Sequence, residues 1–200
     1  DAESGYGNLL SSGSNPFDLT TSYQHSGLYS FHNNYTGNNL NYLTYDSNID
    51  LTNTTSPVLN FWHIAKMGYG DKCYVQYSDN GGLSWQVIPG QYYIGDPAPY
   101  KYDTNYPASV NLYFDSYSYS LWTPGILVNN TFWKEETFDL SFLNGHDDVR
   151  IRFFLDSDFG AVSYGWLLDD VAIKTTKTSD SLIYDLMSGM VNVNLTDLTT

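Results

Sequence analysis

The sequence predicts an all-β fold, an antiparallel sandwich or barrel, on three observations. Aromatic residues make up 17% of the chain, and such side chains favour the pleated, half-buried surface of a sheet. Helix formers are scarce: Lys and Arg together number 8 in 200 residues, and Ala and Glu are few. Short runs of alternating apolar residues recur between turn-rich spacers, the pattern of stacked or closed antiparallel strands.

Taken in order, strands are expected over residues 28–32, 40–45, 58–65, 73–77, 84–88, 132–140, 149–155 and 165–173. The run 149–153 shows the period best, with Val149, Ile151 and Phe153 on one face and Arg150 and Arg152 on the other. Between them, 89–130 loosens into an insertion holding Pro89, Pro97, Pro99, Pro107 and Pro124 with many tyrosines. A segment this long inside a domain binds or covers something. It is expected to cross one sheet, with one hairpin formed by 110–114 and 118–122. After Ile173 the chain turns polar, which reads as a domain exit. The expected division is therefore a domain over 1–174 and a linker, neighbouring module or interface segment over 175–200. Within the latter, 179–190 has the spacing of a short helix with Leu182, Leu186 and Met190 on one side.

Charge narrows the partners. With 8 basic and 22 acidic residues the net charge is −14, the wrong sign for displacing counterions from phosphates or for resting on an anionic bilayer. No nucleic acid and no direct membrane insertion are expected, since no apolar run reaches the ~18 residues of a span. The opening Asp1-Ala2-Glu3-Ser4-Gly5 is unlike a signal peptide, so a soluble, mature or excised chain is expected. Cys73 is the single cysteine, which excludes an intrachain disulfide. Sequons at Asn34, Asn53, Asn129 and Asn194 could accept glycans outside the cell.

Three stretches, in order, carry a resemblance. The first is Asp1-Ala2-Glu3-Ser4-Gly5 followed by Ser26-Gly27-Leu28-Tyr29-Ser30. The second runs from Ile49-Asp50-Leu51 through Pro57-Val58-Leu59-Asn60-Phe61-Trp62 to Val75-Gln76-Tyr77-Ser78-Asp79-Asn80-Gly81-Gly82-Leu83-Ser84-Trp85. The third is Phe138-Asp139-Leu140-Ser141, Val149-Arg150-Ile151-Arg152-Phe153 and Gly165-Trp166-Leu167-Leu168-Asp169-Asp170-Val171-Ala172-Ile173. Over residues 1–174 the set resembles the MAM-like domains of microbial secreted proteins, including the accessory domain of immune inhibitor A type metallopeptidases. It lacks the paired cysteines of animal MAM domains.

The resemblance implies a jelly-roll sandwich with its first and last strands adjacent, an extracellular setting and bound calcium. Adjacency would set Glu3 beside Asp169 and Asp170, whose mutual repulsion a hard cation with oxygen ligands would relieve. Glu3, Ser26, Asp169 and Asp170 are the implied Ca2+ ligands. Against the full set stands strand geometry, because consecutive Asp169 and Asp170 would point to opposite faces.

Residues 78–85 also fit an Asp-box hairpin, with Asn80 and Ser84 as permissive replacements and Trp85 expected to pack beneath the turn. No catalytic constellation emerges. His25, His32, His63 and His146 lack metal-ligand spacing, His63 reads as a packed strand residue, and Cys73 reads as a buried small hydrophobe.

A non-catalytic accessory or adhesion module that binds glycan or protein through its loops is the leading reading. Tyr100, Tyr102, Tyr117, Tyr119 and Trp122 are its candidate contacts, offering flat apolar faces with polar tips; the same rings would equally serve to roof a sheet. The alternatives are a self-associating subunit of a surface layer or filament, joined through sheet edges, and a non-catalytic domain of a secreted metallopeptidase.

Overall fold

Along Arg150–Asp156 burial alternates residue by residue, with Ile151, Phe153 and Leu155 sealed and Arg150, Arg152, Phe154 and Asp156 on the opposite face. That period requires a sheet with one side against a core. The computed structural model describes residues 2–95, 101–102, 112–177, 181–185 and 190–194. Its strands are β1 (Leu9–Gly13), β2 (Asp18–Thr20), β3 (Ser30–Asn33), β4 (Leu40–Tyr45), β5 (Thr54–Lys66), β6 (Lys72–Ser78) and β7 (Gln86–Val87). There follow β8 (Lys101–Tyr102), β9 (Leu112–Tyr113), β10 (Lys134–Asp139), β11 (Arg150–Asp156), β12 (Gly165–Lys177), β13 (Ser181–Asp185) and β14 (Met190–Asn194).

Two antiparallel sheets form the all-β sandwich that the composition predicts. One runs β1-β4-β11-β6-β7 and the other β10-β5-β12-β13-β14, with β3 also on β12 and β2 on β3. Their inner faces meet through aromatic rings. Phe153 of β11 lies edge-on to Phe61 of β5 at 5.0 Å and to Trp166 of β12 at 5.7 Å. Each such pair adds about 0.5–1.5 kcal/mol beyond the area it buries.

Two expectations are corrected. Residues 181–185 and 190–194 are strands and extend the second sheet from β12, so 179–190 is not a helix. Pairing along a sheet edge outweighs the weak 182, 186, 190 spacing. In the insertion, Leu112–Tyr113 pairs with Lys101–Tyr102, and Ser120–Trp122 is a 3-10 turn, so the expected hairpin does not form. Instead the described part of the insertion plugs the core: Phe114 bridges to Cys73, and Phe114 and Trp122 are both fully buried.

Trp122 covers a polar network sealed among the aromatic rings. His63 and Glu136 are both fully buried, with His63 Nε2 and Glu136 Oε1 3.0 Å apart. The Trp166 indole, which can only donate, gives its N–H to His63 Nδ1 at 3.2 Å. The imidazole proton therefore sits on Nε2 and is donated to Glu136. Tyr119 and Tyr93 hydroxyls donate to the same carboxylate at 2.9 and 2.5 Å. Three donors thus converge on one fully buried carboxylate, where an unmet donor costs about 1–3 kcal/mol.

Glu136→Ala should therefore cost about 3 kcal/mol or more, since it strands those donors, a fall of roughly 6 °C or more in melting temperature by calorimetry. A second prediction concerns pH. Burial holds His63 below its ordinary protonation range, against the pull of Glu136. The unfolded chain takes up a proton near pH 6.5 that the folded one resists, so this group's stabilisation is present above about pH 6.5 and is lost as pH falls. Denaturation midpoints between about pH 7 and 5 should fall more steeply for the parent than for His63→Gln.

Candidate functional site

Glu3 and the β12 aspartates act on one loop, but the first and last strands are not adjacent as expected: β1 pairs with β4 in one sheet and β14 with β13 in the other. In β12 the register against β5 slips between Asp169 and Ala172, and Asp170 takes a positive φ of 48°. This bulge, one extra residue on the long strand, is what defeats strict alternation. Both carboxylates turn onto residues 25–26: Asp169 Oδ2 accepts from the amides of His25 at 2.9 Å and Ser26 at 3.2 Å. Ser26 Oγ donates to Asp170 Oδ1 at 2.7 Å, and His25 Nδ1 lies 2.6 Å from Asp170 Oδ2. Two residues on, Glu3 Oε1 accepts from the amides of Leu28 and Tyr29, each at 2.7 Å. Glu3, Ser26, Asp169 and Asp170 therefore all act on the 25–29 segment. The His25 ring is held flat against Trp62, with centroids 3.7 Å apart.

The donor chemistry can be tested against the implied cation. Every converging residue of the four offers oxygen, as a hard cation requires. Asp169 is fully buried, and burial first, then Asp170, push its carboxyl up to about 6, although three backbone N–H groups act the other way. A divalent ion would relieve that penalty. Among the described residues no three carboxylate, imidazole or thiol groups converge closely enough to hold a metal by themselves. Any calcium held here would need oxygen ligands beyond the three carboxylates.

A second feature occupies the outer face of the five-stranded sheet. Phe154 on β11 sits in register with Tyr42 on β4 and Tyr74 on β6. The three rings stack at 4.9 and 5.4 Å, and Tyr113 continues the row 5.9 Å beyond Tyr74. One rung along β11, Arg152 has its guanidinium carbon 4.7 Å from the Tyr42 ring centre and 4.3 Å from that of Trp85. Its Nε donates to Gln76 Oε1 at 2.6 Å.

Trp85 reaches this position because of the turn before it. Asn80 Oδ1 accepts from the Ser78 hydroxyl at 2.8 Å and the Ser84 amide at 3.0 Å, while Gly81 and Gly82 adopt positive φ. The Asp-box segment thus aims Trp85 at the arginine of the sheet face.

The aromatic row was readable in principle. Tyr42, Tyr74 and Phe154 all occupy the outward phase of alternating strands, where polar residues are the norm. The residues singled out from the insertion fare differently. Trp122 is fully buried with its indole N–H on the Phe132 carbonyl at 3.0 Å, so it offers no face to a ligand. Tyr119 is committed to Glu136. Tyr117 is 57% exposed and stacks on Tyr69 at 5.4 Å. Tyr100 lies outside the described residues, and Tyr102 is described only as strand backbone. Of the sequon asparagines, Asn34, Asn53 and Asn129 are exposed, and Asn194 lies in β14.

No protein-family model matches the chain, and no curated protein matches it. Among solved structures it is similar to TmCBM61, described in complex with beta-1,4-galactotriose, at 13% identity, TM-score 0.48, over 85% of this chain and 90% of that one. It is similar to the K3 cleaved adhesin domain of Lys-gingipain from Porphyromonas gingivalis w83 at 17% identity, TM-score 0.49, over 88% and 96%. A third likeness is to carbohydrate-binding modules of the β-sandwich superfamily, described as promiscuous in specificity, at 13% identity, TM-score 0.48, over 86% and 60%. With TM-scores of 0.49 or less throughout, the fold stands on the chain's own two sheets.

The loop junction generates one prediction. Gly27 has a φ of 60°, and a Cβ there would stand 2.4 Å from Glu3 Oε1, a carboxylate already pinned by two amides. Gly27→Ala should cost about 1–2 kcal/mol, seen as a lowered denaturation midpoint with unchanged slope.

Proposed function

We propose that this chain is a non-catalytic, extracellular binding module that holds a glycan against the outer face of its five-stranded sheet, with calcium stabilising the loop junction. The observation that carries the reading is the aromatic row Tyr42–Phe154–Tyr74–Tyr113, placed where a sheet ordinarily turns polar side chains to water. An apolar strip edged with tyrosine hydroxyls suits sugar rings, whose C–H faces are apolar and whose hydroxyls seek hydrogen bonds. A non-catalytic role is supported by the placement of the reactive groups: His63, Glu136 and Cys73 are sealed from any substrate. The extracellular setting is supported by exposed sequon asparagines.

Glu3, Ser26, Asp169 and Asp170 would hold the cation, which would neutralise clustered carboxylates and tie the opening segment to β12. In the stated role its effect is structural, and stability would grow with free calcium.

Binding to a panel of neutral and acidic polysaccharides, read by affinity electrophoresis and calorimetry, tests the glycan reading. Tyr42→Ala and Phe154→Ala should each weaken binding by roughly tenfold; a parent protein that retains no polysaccharide overturns it. For the cation, millimolar calcium should raise the melting temperature relative to chelator, and Asp170→Asn should shrink that rise. Identical melting in both conditions would remove calcium from the reading.

A further inference from the structure

We infer that the glycan held on this face carries a carboxylate, a uronate sugar, recognised by the guanidinium of Arg152 beside the amide of Gln76. The inference rests on the glycan reading above and narrows its ligand class.

The first observation is how Arg152 is held. Its guanidinium packs over the rings of Tyr42 and Trp85, and its Nε is fixed on Gln76 Oε1. An arginine held by ring contacts and a hydrogen bond has little side-chain freedom left to lose when a ligand arrives.

The second is what remains unused. A guanidinium has five N–H donors, and here Nε serves Gln76 while the terminal nitrogens have no protein acceptor among the described residues. Arg150, on the same face, instead donates from Nη1 to Asp46 at 2.7 Å. Gln76 commits its oxygen to Arg152, and its own NH2 group has no acceptor among the described residues. Two donor groups thus stand side by side, in register on β11 and β6, at the edge of the aromatic row.

The third is charge. In a chain of net charge −14, a cation left without a carboxylate on a half-buried surface is conspicuous. Burial lowers Arg152 to about 10 against the opposing pull of Tyr42, which leaves it charged at neutral pH. A planar carboxylate matches the paired N–H groups of a guanidinium, and such charge-assisted, bidentate bonds are among the strongest available. The sugar ring bearing it would then lie along Tyr42 and Phe154.

The test compares polygalacturonate, a neutral galactan and dextran sulfate, each titrated into the full chain by calorimetry. The parent should prefer polygalacturonate to galactan by tenfold or more. Arg152→Gln should bring that ratio near one, and Arg152→Lys should not restore it, because a point charge lacks the paired geometry. Gln76→Glu guards against a folding artefact: it keeps the side chain's shape yet supplies Arg152 with an internal carboxylate, and should abolish the preference with an unchanged melting temperature. Equal affinity for polygalacturonate and galactan would overturn the inference while the glycan reading stands. Equal affinity for dextran sulfate, or full rescue by lysine, would overturn it too, by showing that charge alone is sensed. Retention of none of the three polymers, or of any other glycan, would sink the reading beneath it.

Discussion

The fold is tied together at the first of two register shifts in β12, the bulge between Asp169 and Ala172. That strand is the spine of the larger sheet, paired with β5, β3 and β13. Where its register slips, Asp170 adopts a positive φ and two consecutive carboxylates reach the same loop. A regular strand would send one of them to the far side of the sheet. The opening segment, through Glu3, then has a fixed loop to grip. A positive φ at an aspartate is a local cost, and it is offset by hydrogen bonds that no regular strand could make.

The two sheets divide the labour. The seven-stranded one carries the aspartate junction and the inner polar network, while the outer face of the five-stranded one carries the aromatic row, half-buried at Tyr42 and Phe154 and buried at Tyr74. His63 and Glu136 look like a reactive pair in sequence-blind chemistry, yet their partners are Trp166, Tyr93 and Tyr119, and all of their bonding is turned inward. Burial and full hydrogen bonding make them a means of fixing one arrangement of the aromatic core.

Much of the framework was legible in the chain because alternation speaks directly about sheets. The run 40–45 coincides with β4, and 149–155 is displaced by a single residue from β11. What alternation could not say is which aromatic residues in the outward phase would find one another. Tyr42, Tyr74 and Phe154 are distant in sequence and meet only through register. Conversely, a ring such as Trp122 in a loose, proline-rich stretch suits a ligand face or a roof over a sheet equally well, and only the tertiary fold shows it turned inward. The 179–190 segment misled for a related reason: its weak helical spacing carried no information about the free edge of β12 awaiting a partner.

Cys73 gives the architecture a further property. The thiol is fully buried, bracketed by a bridge to Phe114, and raised well above its usual range by burial, with Asp71 and Asp115 adding to the effect. Neither oxidants nor alkylating reagents can reach it while the sandwich stays closed, so an oxidising environment would leave this thiol unchanged. The lone sulfur is in effect a built-in gauge of opening, reporting the rare moments when the two layers part.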